Sequence, residues 1–345
     1  TEARKRAKAF AVYGAIAGSG AAIGLLLGGV LTQFLDWRWC LFVNIPIAVV
    51  AALGGWQVLA PAGGRGRQRL DLPGVVLVTG GLGGLVYGCT QVAAAGSTST
   101  TVLAIIGASV ILLFGFVLRE RSTDAPLLPL RIVLDRNRGG ASLTAAFAIA
   151  AMFGAFLFLT YYLQVVLHYS PVEAGLGFLP LTVASQAGSW GIASVLMPRV
   201  RARFIMAPGA LVAAGGMVLL SRIGLHSSYL TLVLPAEILI GSGIACVMAP
   251  AFNVGTFGVD PRQAGVAAAV VNAAVQTGAS IGTAVLNTIA TSTTAAELVG
   301  HPSAQLIGQA LVDGYARAAL SGAAIVLAGG VLAFLLISAG KPARH

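Results

Sequence analysis

Ten apolar stretches of membrane-spanning length follow one another along this chain, and no other feature restricts its fold so severely. A helix needs about 20 mostly apolar residues to cross a bilayer. The stretches cover residues 10–35, 39–60, 72–92, 102–118, 141–167, 171–197, 204–221, 229–248, 265–290 and 318–338. Inside hydrocarbon each segment must satisfy its own backbone N–H and C=O groups, so every stretch is expected to be helical. The predicted fold is therefore all-α and polytopic, with about ten transmembrane helices. Composition agrees, because only 9% of residues are charged and 57% are hydrophobic. A water-facing domain carries about 25% charged residues. The lipid bilayer is the first partner this chain requires.

Orientation follows from where the basic residues fall, since Lys and Arg collect in cytoplasmic loops. With a cytoplasmic N-terminus, Arg4, Lys5, Arg6 and Lys8 lie inside, followed by Arg65, Arg67 and Arg69. Arg119, Arg121, Arg131, Arg136 and Arg138 come next, then Arg199, Arg201, Arg203, Arg262, Lys341 and Arg344. Of 21 basic residues only Arg38, Arg222 and Arg317 fall outside. Both termini are expected in the cytoplasm and the membrane is expected to be the plasma (inner) membrane. The formal net charge of +10 is thus a topology signal. It comes in small loop clusters without aromatic interleaving, so no nucleic-acid partner is expected.

Other classes fail on particular residues. The string GASIG (residues 278–282) fits G-x-S-x-G, but it lies in mid-helix with no preceding strand, where the strained nucleophile elbow cannot form. His168, His226, His301 and His345 all lie in loops or the tail, so neither a buried metal site nor a catalytic histidine is expected. Cys40, Cys89 and Cys246 fall in apolar runs without CxxC spacing and read as small buried hydrophobes. There is no P-loop, no filter loop and no ring of charge. The chain reads as a non-enzyme without cofactor or metal.

Glycines in the first stretch carry more information. Gly14 and Gly18 precede Gly20, Gly24 and Gly28 at four-residue spacing, with Gly29 directly after. That spacing puts them on one helical face, where a second backbone can approach closely. The string LTQFLDWRWCLFVNIPIA (31–48) follows. Together these resemble the EmrB/QacA-type, fourteen-helix drug:proton antiporters of the major facilitator superfamily. In that family the fifth helix carries G-x-x-x-G-P-x-x-G-G, and D-W-R-W-x-F-x-x-N-x-P opens the sixth. Gly20, Gly24, Gly28 and Gly29 match the motif glycines. Leu25 replaces its proline, which removes the reason to expect a kink but not the reason to expect close packing. RLDLPG (69–74), APLLPLRIVLDRNR (125–138), TYYLQVVLHYSPVEAGLGFLP (160–180) and GVDPRQAGVAAAVVNAAVQTGASIG (258–282) resemble later family segments in the family's order.

The resemblance implies that the ten spans are helices five to fourteen. Residues 1–60 would then be the last two helices of the N-terminal bundle, 61–125 two central linker helices, and 126–345 a complete C-terminal six-helix bundle. It also implies proton-coupled efflux of amphipathic drugs or small organic molecules by alternating access, from a monomer when full length. The first four helices would be missing, as in a truncation or gene remnant, and residues 1–345 alone are then expected not to transport. The rival reading is a non-transporting remnant that packs with another membrane protein.

Ionisable groups inside the membrane mark function by default. Glu237, two residues after Pro235, is either a proton- or cation-handling carboxylate or a group bonded to nearby backbone. Glu173 reads as structural, because Ser170-Pro171-Val172-Glu173 is a capping box with Pro at the first helical position. Asn44, Gln164, Asn272, Gln276 and Asn287 are expected to point inward to partners. Asn272 and Gln276, one turn apart beside Gly278 and Gly282, line a cavity or hydrogen-bond between helices. Tyr161, Tyr162 and Gln164 either contact an amphipathic cation or join Trp37, Trp39 and Tyr169 in an interfacial belt.

Overall fold

The computed structural model describes residues 20, 22–58, 71–95, 99–123, 128, 130–259, 263–298 and 303–338. The basic clusters at 4–8 and 65–69, Arg262, Lys341 and Arg344 lie outside these residues, as do Gly14, Gly18, His301 and His345. All regular elements among the described residues are helical. Eight helices are long and apolar enough to cross a membrane. They are Trp39–Val58 (α2), Leu72–Val92 within α3, Thr100–Ser122 (α4), Arg136–Val166, Arg203–Leu220 (α8), Tyr229–Thr256, Ala264–Glu297 (α10) and Gln305–Leu336. The helix α3 itself runs Leu72–Ala95. Of the first expected span, the structure describes the shorter apolar helix Ala22–Phe34 (α1).

Three places depart from plain α-helix. The helix Arg136–Tyr161 (α5) runs into a π-helical turn, Tyr162–Val166. The expected span 171–197 is divided into Pro171–Gly177 (α6), Leu179–Ala187 (α7), a π-helical turn Gly188–Ala193 and the short helix Ser194–Leu196. Pro180 lies next to the break at Phe178, and a proline without an N–H breaks the i→i−4 ladder. A third π-helical turn, Tyr229–Val233, leads into Leu234–Thr256 (α9). At the far end of the chain the helices exceed expectation. The last two spans, predicted as 265–290 and 318–338, extend to Ala264–Glu297 and Ala304–Leu336 (α11). Ser303 caps α11 by accepting the Leu306 N–H, and Thr294 of α10 donates to the Ala310 carbonyl. The polar run TSTTAAE therefore stays helical against a partner helix.

The chain divides into two compact units, residues 1–69 with 160–183 and residues 70–159 with 184–345. In the first unit, the turn between α1 and α2 is set by Asp36, which accepts the Arg38 N–H at 2.9 Å. Gly29 lets the start of α6 approach α1, since a Cβ there would stand 2.6 Å from the Pro171 carbonyl oxygen. Gly175 lies against Leu25 in the same contact. Gln33 accepts the Val172 N–H. Ser170 and Glu173 form the expected capping box at the head of α6.

In the second unit, α3 and α4 pair as a hairpin closed by Asp71 and Arg119. Helices α8 and α9 pack backbone against backbone. A Cβ on Gly216 would lie 2.8 Å from the Ala236 carbonyl oxygen and 2.9 Å from the Ile240 nitrogen. Gly243 packs equally tightly on Gly209 and Ala213. Helix α10 meets α5 through Gly278 and Gly282, which rest on the backbone of Ala146 and Ala150. Helices without a hydrophobic driving force between them associate through such small-residue faces. Stacked rings of Phe158 and Tyr315, 5.7 Å apart, join α5 to α11.

Candidate functional site

The first turn of α9 holds the most unusual side chain. Glu237 is fully enclosed, at 0% exposure. Its Oε2 accepts a hydrogen bond from the Tyr229 hydroxyl at 3.3 Å. Its Oε1 has no hydrogen-bond partner among the described residues. The expectation of a carboxyl bonded to neighbouring backbone is not met, because the polar contact comes from a side chain eight residues earlier. An α-helix would not bring these two together. Eight residues overshoot two turns of 3.6 by about 80°, whereas one turn closed by i→i+5 bonds, at roughly 4.4 residues, plus one ordinary turn returns to the same face. The π-helical turn Tyr229–Val233 supplies that wider turn, with the Leu234 N–H donating to the Tyr229 carbonyl.

Other residues of interest fall in separate places. Asn272 and Gln276 share one exposed face of α10. Asn272 donates to the carbonyl of Ala268, four residues back. Among the described residues neither amide hydrogen-bonds to a second helix. Asn44, Gln164, Asn272 and Gln276 are all exposed, and Asn44 likewise bonds back to the Cys40 carbonyl. A carbonyl one turn earlier satisfies the amide without a second helix. Round the α10 cylinder, Ala273, Thr277, Ile281 and Val285 line an apolar groove of about 480 Å³ shared with Leu82, Phe147 and Ile325. In the first unit, Tyr161 and Gln164 are exposed while Tyr162 is completely buried. These three residues therefore do not form one surface. A Cβ on Gly20, Gly24 or Gly28 would meet open space among the described residues, whereas one on Gly29 would strike the start of α6; the Gly28 carbonyl accepts from the Cys40 thiol of α2.

Two features escaped sequence reasoning. A polar opening of about 620 Å³ lies between α10 and α11, lined by Glu297, Asp313 and Arg317. The prediction ended both spans short of it. The other is the partner of Asp71: this residue, 6% exposed and readable in RLDLPG as a helix start, has its carboxylate gripped by Arg119 Nε and a terminal guanidinium nitrogen at 3.1–3.3 Å. The Arg119 hydrogen bond holds the Asp71 carboxyl below the usual carboxylate range, opposing the effect of burial, with a further bond from the Gly74 backbone. A spacing of 48 residues leaves no local signal for this pair.

Apolar helices of membrane length, packed through small-residue contacts, define a polytopic membrane protein. The chain belongs to the Major Facilitator Superfamily, whose sequence model matches residues 1–283. That membership places it with transporters rather than enzymes. It is 47% identical over 343 residues to the puromycin resistance protein pur8 of Streptomyces alboniger, covering 98% of this chain and 67% of that protein. It is 36% identical over 316 residues to the cephamycin export protein CmcT of Amycolatopsis lactamdurans, covering 90% and 65% respectively. With the tetracenomycin C resistance and export protein of Streptomyces glaucescens it shares 29% identity over 285 residues, covering 82% and 53%. The chain thus spans about half to two thirds of the length of these relatives.

Proposed function

We propose that this chain is part of a secondary active exporter that moves small amphipathic organic molecules out of the cell in exchange for protons, by alternating access. The observation that carries this reading is the 47% identity to a puromycin resistance protein along nearly the whole chain. Glu237 supports the coupling ion, because an enclosed intramembrane carboxyl is costly and is kept where a cation or proton is handled. The exposed amides Asn272 and Gln276, and separately Tyr161, Tyr162 and Gln164, are the proposed substrate-pathway residues. Gly20, Gly24, Gly28 and Gly29 are the proposed antiporter-motif glycines of a fourteen-helix, EmrB/QacA-type architecture. Its proposed divisions are residues 1–60, 61–125 and 126–345, in a monomer of the plasma (inner) membrane with cytoplasmic termini. The basic-residue asymmetry supports that orientation.

The test is an accumulation assay in a host stripped of its own efflux pumps. Cells making the whole protein should retain several-fold less puromycin or fluorescent lipophilic cation than empty-vector cells. A protonophore should abolish the difference. Equal accumulation, or efflux indifferent to the protonophore, would refute the proposal.

A further inference from the structure

We infer that Tyr229 is the proton relay to Glu237, a positioning residue through which protons must pass to reach the enclosed carboxyl. Glu237 has no exposed surface, so water cannot deliver a proton to it directly. Tyr229 is half-buried, touches Oε2 through its hydroxyl, and sits at the outermost turn of its helix. A phenol both donates and accepts. The hydroxyl proton passes to Glu237 Oε2 as its O–H bond breaks, and the phenol oxygen takes a proton from hydronium, leaving water. Tyr229 ends unchanged and Glu237 has gained one proton. At 3.3 Å the contact is longer than a tight O–H···O bond, so transfer requires a small inward swing of the ring.

Among the described residues, Tyr229 is the one side chain hydrogen-bonded to Glu237, and no charged group is paired with it. Among the elements packed on α9, α8 carries Arg203 at the opposite end and α10 carries Glu297 as its exposed last residue. The turn Gly188–Ala193 carries none. In the connection before Tyr229, Arg222 and His226 are exposed. On the orientation proposed above, Tyr229 opens toward the outside, the side from which an exporter takes its protons. The inference rests on that reading for its direction, but its geometry stands apart from it.

Hydrogen–deuterium exchange of the Glu237 carboxyl, followed by infrared spectroscopy on the full chain in lipid nanodiscs, tests this. The band is assigned by its loss in Glu237→Gln. Tyr229→Phe keeps the ring and should slow exchange at least tenfold. Insertion of one alanine between Val233 and Leu234 turns the intact phenol about 100° away from the carboxyl and should slow exchange as much. Should the Phe variant fail to fold, the insertion decides. Unchanged exchange in either folded variant, or no carboxyl band lost in Glu237→Gln, would overturn the relay. Tyrosine-dependent exchange in a protein that exports nothing would leave the relay standing and sink the export proposal.

Discussion

Asp71 and Glu237 are two buried carboxyls at helix starts in one packed unit, and the protein treats them in opposite ways. Asp71 precedes α3 and meets a guanidinium fork from α4. Glu237 lies one turn into α9 and meets a single hydroxyl, with one oxygen left unpartnered. A buried charge is tolerable when an opposite charge and further hydrogen bonds surround it, and expensive otherwise. The matched carboxylate is a clamp between two helices. The unmatched one has no structural reason to be charged, which is why the proton-handling proposal falls on it.

The difference can be broken most decisively by exchanging acids for amides. Glu237→Gln in the whole protein should abolish proton-driven efflux, while Asp71→Asn should leave efflux close to normal; loss of efflux in both variants would erase the distinction. A smaller effect is expected from crowding the support of Glu237. Gly216→Val would drive a side chain into the first turns of α9 and should destabilise the fold by about 1–3 kcal/mol, the usual cost of overpacking, as read by thermal melting in detergent. An unchanged melt would mean that α8 and α9 are not held together there.

The clamp itself should show a weaker, pH-dependent signature. Because the folded Asp71 carboxyl sits below its usual value, its stabilising contribution is complete above the unfolded value of about 3.9. It is lost as pH falls through the depressed folded value. Melting temperature should therefore fall across this acidic window in wild type and less steeply in Asp71→Asn or Arg119→Gln. Parallel curves would show that the pair contributes nothing. The smallest change belongs to Gln276→Leu, whose exposed position predicts a stability effect within about 0.5 kcal/mol and an altered ranking of exported compounds. An unchanged ranking would remove Gln276 from the pathway.

Much of the fold was legible because its rules are local. The capping box at Ser170 and Glu173 was readable, since its partners lie three residues apart and appear as predicted. The break at Phe178 was missed because hydropathy reads 171–197 as one apolar run, although Pro180 beside it is the residue that interrupts the ladder. The long ends of α10 and α11 were missed for the converse reason: a Thr- and Ser-rich segment is too polar to count as a span, yet remains helical against its neighbour. At the candidate site, Glu237 stood out from its surroundings by charge alone. Its partner did not, because eight-residue spacing fits no ordinary helical face.

What the chain determined unaided was its solvent and its all-helical character, since hydrocarbon demands a run of apolar side chains and a self-satisfied backbone from every segment separately. Only the tertiary structure decided which side chains meet. Tyr162 is buried while its neighbour Tyr161 is exposed, Asp71 finds Arg119 across 48 residues, and Tyr229 reaches Glu237 through one widened turn. Each depends on how far a helix is rotated and wound against its neighbours, a quantity fixed by packing between segments.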